Sequence, residues 1–305
     1  MSAWTARDVP DQTGRSVVVT GANSGIGLQA ARVLAERGAD VVLAVRDITR
    51  GEAAAGRTGG AVQVRRLDLA DLASVREFAA DAPERIDLLV NNAGVMALPE
   101  GRTADGFEMQ LGTNHLGHFA LTGLVLDKLL RGTAPRVVTV SSGLHRRGRI
   151  DFDDLQSERA YDKWAAYGQS KLANLLFAYE LQRRASAAAL PLRSLAVHPG
   201  LAATNLWAGG EADSSLGERI AARTGKLIAQ SDAMGAEPTL YAATAPDIRG
   251  GAYVGPGGFR EMRGHPKLVA SSAASMDEGD ARRLWEVSEH LTGVRYAFSD
   301  AGRTG

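Results

Sequence analysis

The chain has 305 residues, 45% of them hydrophobic, so it can bury a large core. Its 35 basic and 35 acidic residues balance to zero formal charge, which offers no electrostatic case for binding nucleic acid or an anionic membrane surface. The lack of cysteine excludes disulfides, thiolate nucleophiles and cysteine-based metal sites, and we predict no metal site.

The first fifteen residues are polar and do not have the charged and apolar regions of a signal peptide. No run in the sequence reaches the roughly 18 apolar residues that a membrane span needs. We therefore predict a cytoplasmic protein without a membrane anchor. Residues 1–15 are expected to be an N-terminal extension, and residues 16–305 a single domain.

Apolar, β-branched runs alternate with helical patterns along most of the chain. The predicted strands are 16–20, 41–45, 62–67, 86–90, 136–140, 195–198 and 252–254, and the predicted helices are 25–37, 72–80, 107–130, 164–184 and 281–291. Strands that are apolar throughout and separated by helices indicate a parallel sheet covered on both faces. We therefore predict an α/β fold with a doubly wound, Rossmann-like parallel sheet that binds ligands at the carboxyl ends of its strands. The polar, irregular segment 206–230 is either a lid over that site or a surface excursion.

A glycine-rich turn, Thr20 to Gly27, joins the first predicted strand to the first helix. Glycines let a backbone turn sharply and approach a pyrophosphate, while the helix N-terminus directs amides at the anion. The glycine spacing differs from the common dinucleotide fingerprint, so an ordinary tight turn is the alternative. For a cofactor loop, the predicted contacts are Gly21, Asn23, Ser24, Gly25, Ile26 and Gly27.

The end of the second strand bears on the choice of cofactor. An NAD site usually has an acid near this point for the ribose 2′-hydroxyl, whereas an NADP site prefers a cation for the 2′-phosphate. Here Val45 is apolar and Arg46 follows it, and a guanidinium suits phosphate through paired hydrogen bonds. We therefore predict NADP(H) rather than NAD(H). The alternative is that Arg46 is only solvated and Asp47 binds the ribose.

The next two strand ends carry weaker signals. Asp68, followed by Leu69, either accepts a hydrogen bond from the adenine amino group or caps the next helix. The small residues Asn92, Ala93 and Gly94 would let the chain pass beside a cofactor, although an ordinary turn has the same composition.

Tyr167 and Lys171 form the strongest chemical signal. Four residues apart on a helix, they share one face, and an ammonium beside a phenol lowers the phenol pKa. A phenol tuned in this way can transfer a proton at neutral pH, as carbonyl reduction requires. The pair alone is common by chance. However, the fifth strand delivers Ser141 and Ser142 to the same edge of the sheet, and Asn114, within a helical pattern, is either solvated or anchors a proton-carrying water.

Together these residues resemble the short-chain dehydrogenase/reductase superfamily, and the match covers nearly the whole chain. The chain is most similar to the retinol-dehydrogenase-like group, which includes relatives of protochlorophyllide reductase. The strings that carry this resemblance are Ala44–Asp47, Asp154–Glu158, Ser170–Asn174 and Val197–Gly200. One departure is that membrane-bound retinoid enzymes of this group carry an N-terminal anchor, which is not seen here, so the group's name does not identify the substrate.

The resemblance implies a role for each matching residue. Tyr167 would be the general acid in reduction and the base in oxidation, and Lys171 would bind the nicotinamide ribose and lower the tyrosine pKa. Ser142 would hydrogen-bond the substrate oxygen, with Ser141 as the fallback, and Asn114 would hold a water in a relay to Lys171. The remaining implied cofactor contacts are Pro199, Gly200 and, at the nicotinamide carboxamide, Thr204. The insertion after the serine, with Asp151, Phe152 and Leu155, would help form the substrate entrance.

The predicted function is therefore hydride transfer between NADP(H) and a carbonyl or alcohol of a small substrate. The sequence suggests a hydrophobic substrate because of the apolar residues Leu144, Leu206 and Trp207, unless these are simply core residues. A catalytically silent, NADP(H)-sensing regulatory protein on the same fold is the alternative, and a nucleotide-sugar epimerase is a third. The helices at 107–130 and 164–184 are candidates for pairing in a homodimer.

Overall fold

The computed structural model describes residues 3–201 and 230–298. Their strands form one eight-stranded sheet in the order β3-β2-β1-β4-β5-β6-β7-β8, parallel except for the last pair. The strands are β1 Ser16–Thr20, β2 Asp40–Val45, β3 Val62–Arg66, β4 Leu88–Asn91, β5 Arg136–Val140, β6 Arg193–Val197, β7 Tyr253–Pro256 and β8 Pro266–Leu268. This topology confirms the predicted doubly wound α/β fold.

The strand order reverses between β1 and β4, and a crevice opens there at the carboxyl ends of the strands. Thr20 ends β1 and Asn91 ends β4, so the glycine-rich turn and the 92–94 segment leave the sheet side by side. The topology therefore brings together two segments that lie about seventy residues apart in the chain.

Helices cover both faces of this sheet. They are α1 Gly25–Glu36, α2 Ile48–Ala55, α3 Leu72–Asp81, α4 Met109–Leu111, α5 Gly117–Leu124, α6 Leu126–Leu130, α7 Lys163–Ala187, α8 Asp232–Thr244 and α9 Glu278–Thr292. Alternate residues of β1 point to opposite faces, because a strand has a side-chain period of two. Val17 and Val19 pack in the core beneath α1 and α8, whereas Val18 packs in the core with Phe119 and Trp285.

α7 positions much of the site and is buried along most of its length. Asp162 caps its start by accepting hydrogen bonds from the amides of Trp164 and Ala165, at 3.0 and 2.7 Å. α9 packs against α7, with the Trp285 ring stacked 5.8 Å from that of Phe177. The chain's own C-terminal helix thus covers part of the α7 surface that was a candidate for pairing with a second subunit.

The helical stretch predicted over residues 107–130 is present from Met109 to Leu130, but it is not one regular α-helix. The segment contains α4, a π-helical turn Gly112–Leu116, then α5 and α6, which are separated at Val125. Asn114 lies in the π-helical turn, where its side chain bonds Val95 and Ser170 outside the helix. Gly117 packs so tightly that an added Cβ would collide with the Leu69 carbonyl. These tertiary contacts override the local helical pattern.

The sequence patterns missed α2, α8 and β8. α8 contains Gly235 and Pro238 and is buried on several sides, so it shows no apolar stripe. β8 is three residues long, begins with a proline and is defined by its antiparallel pairing with β7. The other predicted elements have boundaries that differ from those of the structure by a few residues, as fraying ends usually do.

The chain after β6 adds β7, β8, α8 and α9 to the same sheet and its covering layers. Within the described ranges there is no separate C-terminal substrate domain of the kind expected for a nucleotide-sugar epimerase. The N-terminal segment also packs on the domain, since Val9 is buried and the Trp4 ring meets the edge of Tyr241 at 5.3 Å. No helix in the described part of the chain is both long and apolar enough to cross a membrane.

Candidate active site

A cleft of about 1150 Å³ lies at the carboxyl ends of the central strands, where the fold predicts a ligand. It brings together nearly all of the predicted site residues. Those that line it are Gly21, Asn23, Ser24, Gly25, Ile26, Gly27, Arg46, Asp68, Leu69, Asn92, Ala93, Gly94, Ser142, Tyr167, Lys171, Pro199 and Gly200. Thr204, Leu206, Trp207 and the predicted lid, apart from Gln230, lie outside the described residues.

The glycine-rich turn has the conformation that an anion site needs. Gly21 and Gly25 have φ values of +65° and +59°, in the left-handed region that favours glycine. An added Cβ on Gly21 would lie 2.9 Å from the Cα of Ala93, so the turn packs closely on the 92–94 segment. Ser24 precedes α1 but makes no side-chain cap, which leaves the first amides of that helix available to an anion.

Hydrogen bonds join the glycine-rich turn to the 92–94 segment. The Thr20 hydroxyl accepts from the amides of Asn92 and Ala93, both at 2.9 Å, and the Asn92 side chain donates to the Thr20 carbonyl at 2.8 Å. Gly94 follows, and an added Cβ there would lie 3.0 Å from Asn114 Oδ1 and 3.3 Å from Lys171 Nζ. The cradle of small residues and uncapped amides fits a dinucleotide pyrophosphate and nicotinamide.

Polar residues that follow β2 and β3 also line the cleft. Arg46 is exposed and has no hydrogen-bond or ion-pair partner among the described residues. Asp47 instead caps α2, since its carboxylate accepts from the Arg50 amide at 3.0 Å. Asp68 Oδ1 accepts from the Ala70 amide at 3.0 Å, but the residue that caps α3 is Asp71. The helix-cap interpretation of Asp68 was therefore wrong.

The structure separates the two candidate serines. Both line the cleft, but Ser141 is buried, and its hydroxyl donates to the Lys171 carbonyl at 2.7 Å, so it braces α7. Ser142 is half-buried, lines the cleft and lies within reach of the Tyr167 phenol. Its Oγ accepts from the Leu144 amide at 3.2 Å, which leaves the hydroxyl hydrogen free to point towards a substrate oxygen.

Tyr167 and Lys171 both point into the cleft from α7, and Lys171 Nζ lies 5.7 Å from the Tyr167 ring centroid. The predicted direction of the tyrosine shift was wrong for this structure. Burial raises the pKa of Tyr167 to about 12, and only the nearby Ser142 hydroxyl acts in the opposite direction. Burial also lowers the pKa of Lys171 to about 8, which weakens the positive charge that was expected to tune the phenol.

Asn114 lies behind the cleft wall and not in it. Its Oδ1 accepts from the Val95 amide at 2.8 Å, and its Nδ2 donates to the Val95 carbonyl and to Ser170 Oγ, both at 2.9 Å. Its backbone carbonyl is 2.9 Å from His118 Nδ1. These contacts show that Asn114 joins the π-helical turn, the segment after β4 and α7, while its role in anchoring a water stays a prediction.

The predicted substrate entrance was partly misplaced. Phe152 and Leu155 pack against a core cluster that includes Leu172, and the Asp151 amide bonds the Gln169 side chain at 2.9 Å. None of the three insertion residues lines the cleft. Other residues between Ser142 and Tyr167 do so, namely Gly143, Leu144, Arg146, Arg147, Asp162 and Trp164.

Sequence reasoning missed further cleft residues, among them Arg50, His198, Arg260, Glu261 and Met262. The position of Arg50, just after the second strand, could have signalled its place. No sequence pattern marked Arg260 and Glu261. They belong to an irregular loop after β7, in which both residues have positive φ. That loop reaches the site because the Leu201 amide donates to the Met262 carbonyl at 2.7 Å.

Comparisons with known proteins agree with this architecture. The sequence model of the short chain dehydrogenase family matches residues 15–214. Retinol dehydrogenase 13 of Homo sapiens is 44% identical, covering 92% of this chain and 85% of the relative. Retinol dehydrogenase 14 of Mus musculus is 41% identical, covering 92% of this chain and 86% of the relative.

A solved structure shares the fold of this chain. The crystal structure of an uncharacterized protein from Mycobacterium Paratuberculosis superposes with a TM-score of 0.82 at 49% identity, covering 97% of this chain and 100% of the other. The shared family establishes a nicotinamide-dependent oxidoreductase that acts on alcohol or carbonyl groups. The chain belongs to the short-chain dehydrogenase family, within its retinol-dehydrogenase-like group.

Proposed function

We propose that this protein transfers a hydride between NADP(H) and a carbonyl or alcohol of a small hydrophobic substrate. The observation that carries the proposal is the convergence of Ser142, Tyr167 and Lys171 on one cleft that also contains the glycine-rich turn. A dinucleotide that extends from that turn towards Gly200 would place its nicotinamide beside the phenol.

Two arginines support NADP(H) over NAD(H). Arg46 follows β2, lines the cleft and is unpaired among the described residues, as a ligand for the 2′-phosphate should be. Arg50, one helical turn further on, lines the same part of the cleft, with its Nε 3.5 Å from Asp47 Oδ2. The carboxylate of Asp47, which would otherwise suit a ribose hydroxyl, is already engaged as the cap of α2.

The chain's own residues provide the proton chemistry. When bound, the nicotinamide donates a hydride to the substrate carbon in reduction and accepts one in oxidation. Tyr167 gives its phenolic proton to the substrate oxygen in reduction and takes it back in oxidation. Ser142 donates a hydrogen bond to the same oxygen. The Lys171 ammonium, held by the Val140 carbonyl at 3.2 Å, stabilises the phenolate and binds the nicotinamide ribose.

Apolar side chains in the cleft support an apolar substrate. Val95, Met96, Leu144 and Trp164 line it together, and Trp164 stays 38% exposed although it is a large aromatic residue. An apolar aldehyde or alcohol would cover this surface, and the release of water from it favours binding. The names of the curated relatives, retinol dehydrogenases, are consistent with such a substrate.

Tyr167→Phe tests the proposal directly. We expect turnover of apolar aldehydes with NADPH to fall by roughly 100-fold or more, because the variant cannot supply the proton. NADPH affinity should stay nearly unchanged, as the ring is kept. Substantial residual turnover would refute the assignment of Tyr167. The unmodified protein should also be tested on a panel of aldehydes and ketones. If it binds NADPH tightly but turns over none of them, the regulatory sensor is favoured.

A further inference from the structure

His145 lies directly behind the proposed catalytic serine and is not part of the chemistry described above. It belongs to the short 3-10 turn Gly143–Arg147, for which Ser142 is the N-cap, and only 1% of its surface is exposed. Its Nδ1 lies 2.7 Å from the Ser142 carbonyl oxygen, and its Nε2 lies 3.1 Å from the Ser272 amide nitrogen. Each ring nitrogen is therefore engaged by a backbone group of fixed hydrogen-bonding character, and the Tyr253 hydroxyl adds a longer contact of 3.5 Å to Nδ1.

These two contacts define one protonation state of the ring. A backbone amide can only donate, so Nε2 must be the unprotonated nitrogen that accepts from Ser272. The single ring proton then lies on Nδ1, which donates to the Ser142 carbonyl. The imidazole is thus neutral and bridges the two segments by one hydrogen bond in each direction.

The segment at the other end of the bridge is itself anchored. Ser272 caps a second 3-10 turn, Ala273–Met276, and the preceding Ser271 accepts a hydrogen bond from the Tyr179 hydroxyl at 2.9 Å. Tyr179 lies on α7, the helix that carries Tyr167 and Lys171. His145 therefore connects the serine turn to a segment that is fixed on the helix of the other catalytic residues.

The other hydrogen bonds of the peptide that follows Ser142 come from its own turn, where the Leu144 amide donates to Ser142 Oγ at 3.2 Å. Gly143 is exposed, and an added Cβ there would meet nothing within 4 Å. The Ser142 carbonyl accepts one further bond, from the His145 amide at 3.0 Å. The orientation of this carbonyl sets the backbone of Ser142 and thus the direction of its hydroxyl, which an active site must hold to within about 1 Å.

We propose that His145 is a positioning residue, which holds Ser142 against the 271–276 segment so that its hydroxyl meets the substrate oxygen beside Tyr167. This inference rests on the proposed function, because it assigns His145 a role only if Ser142 contacts substrate. His145 itself does not line the cleft.

The charges around His145 predict how acid should affect the bridge. Tyr253 of β7 meets the ring edge-on at 5.6 Å, and His198, Arg146 and Glu261 are the ionisable neighbours. Burial and the Arg146 charge lower the pKa of His145 against the opposing effects of the Ser142 carbonyl and Glu261. When the ring is protonated in acid, Nε2–H would face the Ser272 N–H, and the bridge would open.

His145→Phe and His145→Asn test the role, with His290→Asn as the matched control because His290 is exposed on α9. The phenylalanine ring keeps the packing on Tyr253 but removes both backbone hydrogen bonds and the longer contact with the Tyr253 hydroxyl, whereas asparagine keeps a donor near Nδ1. We expect kcat for an apolar aldehyde with NADPH to fall roughly 10- to 100-fold in His145→Phe, and less in His145→Asn. NADPH affinity should stay within about twofold of that of the unmodified protein, because the cofactor contacts are unchanged. Because protonation of His145 would open the bridge, we expect kcat of the unmodified protein to fall in acid. This fall in kcat should be absent from both variants.

Ser272→Pro breaks the other end of the bridge, because the proline Cδ takes the place of the donating amide hydrogen and displaces the imidazole from Ser272. Ser272 has a φ of −73°, which proline accepts, and Ser272→Ala controls for the lost hydroxyl. We expect kcat to fall in Ser272→Pro and to stay within about twofold of normal in Ser272→Ala. This pair tests the bridge even where a substitution of His145 prevents folding.

The outcomes separate this inference from the proposed function. An unmodified protein that turns over no carbonyl compound would overturn both. An active protein whose His145→Phe variant keeps its kcat would overturn the role of His145 alone. A fall in kcat matched by an equal fall in NADPH affinity, or equal kcat values in Ser272→Pro and Ser272→Ala, would also overturn that role.

Discussion

Arg46→Ala is the most informative test of cofactor choice. The side chain lines the cleft beside the end of β2, is exposed and has no partner among the described residues, so its removal disturbs little else. A hydrogen bond to a charged group contributes about 1.5–3 kcal/mol. Solvent screening at this exposed position favours the lower part of that range, which corresponds to a roughly 10- to 30-fold loss of NADPH affinity.

NADH provides the internal comparison, because it carries a hydroxyl in place of the 2′-phosphate. Its affinity should fall by no more than about threefold in Arg46→Ala, since at most one solvent-exposed hydrogen bond to an uncharged hydroxyl is lost. Arg50→Ala should weaken NADPH binding less than Arg46→Ala, as the Arg50 charge is partly neutralised by Asp47 at 3.5 Å. Arg57→Ala is the matched control, because Arg57 is an exposed arginine beyond the end of α2 that does not line the cleft.

The assay is a fluorescence titration of each nucleotide, with Trp164 in the cleft as a reporter. The difference between Arg46→Ala and the unmodified protein should shrink as the salt concentration rises from about 0.05 to 0.5 M, because the Debye length shortens. Equal losses for NADPH and NADH, or a difference that does not respond to salt, would remove the basis for assigning Arg46 to the 2′-phosphate.

Two further predictions concern stability. Trp285→Ala should lower the free energy of unfolding by about 3–5 kcal/mol in denaturant titrations, because Trp285 is 2% exposed and its ring contacts those of Phe119 and Tyr296. Arg282→Ala, on the exposed side of α9, should change it by less than about 0.5 kcal/mol, and similar values for the two variants would contradict this account of the core. For Lys171, whose pKa is lowered to about 8, the unfolded chain binds the extra proton between pH 8 and the ordinary lysine pKa, so this group makes the protein more stable as pH rises through that window. The unfolding free energy of the cofactor-free protein relative to Lys171→Met should rise by up to about 3 kcal/mol, and a flat difference from pH 8 to 10 would show that the amine is not desolvated.

Much of this protein could be predicted from local patterns. Uniformly apolar strands such as Val17–Val19 are typical of a parallel sheet with both faces covered, and the glycine-rich turn after β1 lies at the switch point where the fold binds ligands. The spacing of Tyr167 and Lys171 places both on one face of a helix. These features depend on backbone periodicity and glycine stereochemistry, which act over a few residues.

Contacts between distant segments determined the features that local patterns did not predict. The helical stretch predicted over 107–130 contains a π-helical turn in which Asn114 bonds Val95 and Ser170, and neither partner can be inferred from local periodicity. The electrostatics of Tyr167 and Lys171 also depended on the fold, since spacing predicted a lowered phenol pKa, whereas desolvation inside the folded chain raises it. Local pattern thus determined the elements and the candidate residues, while burial and long-range hydrogen bonds determined their protonation, their orientation and which loops complete the site.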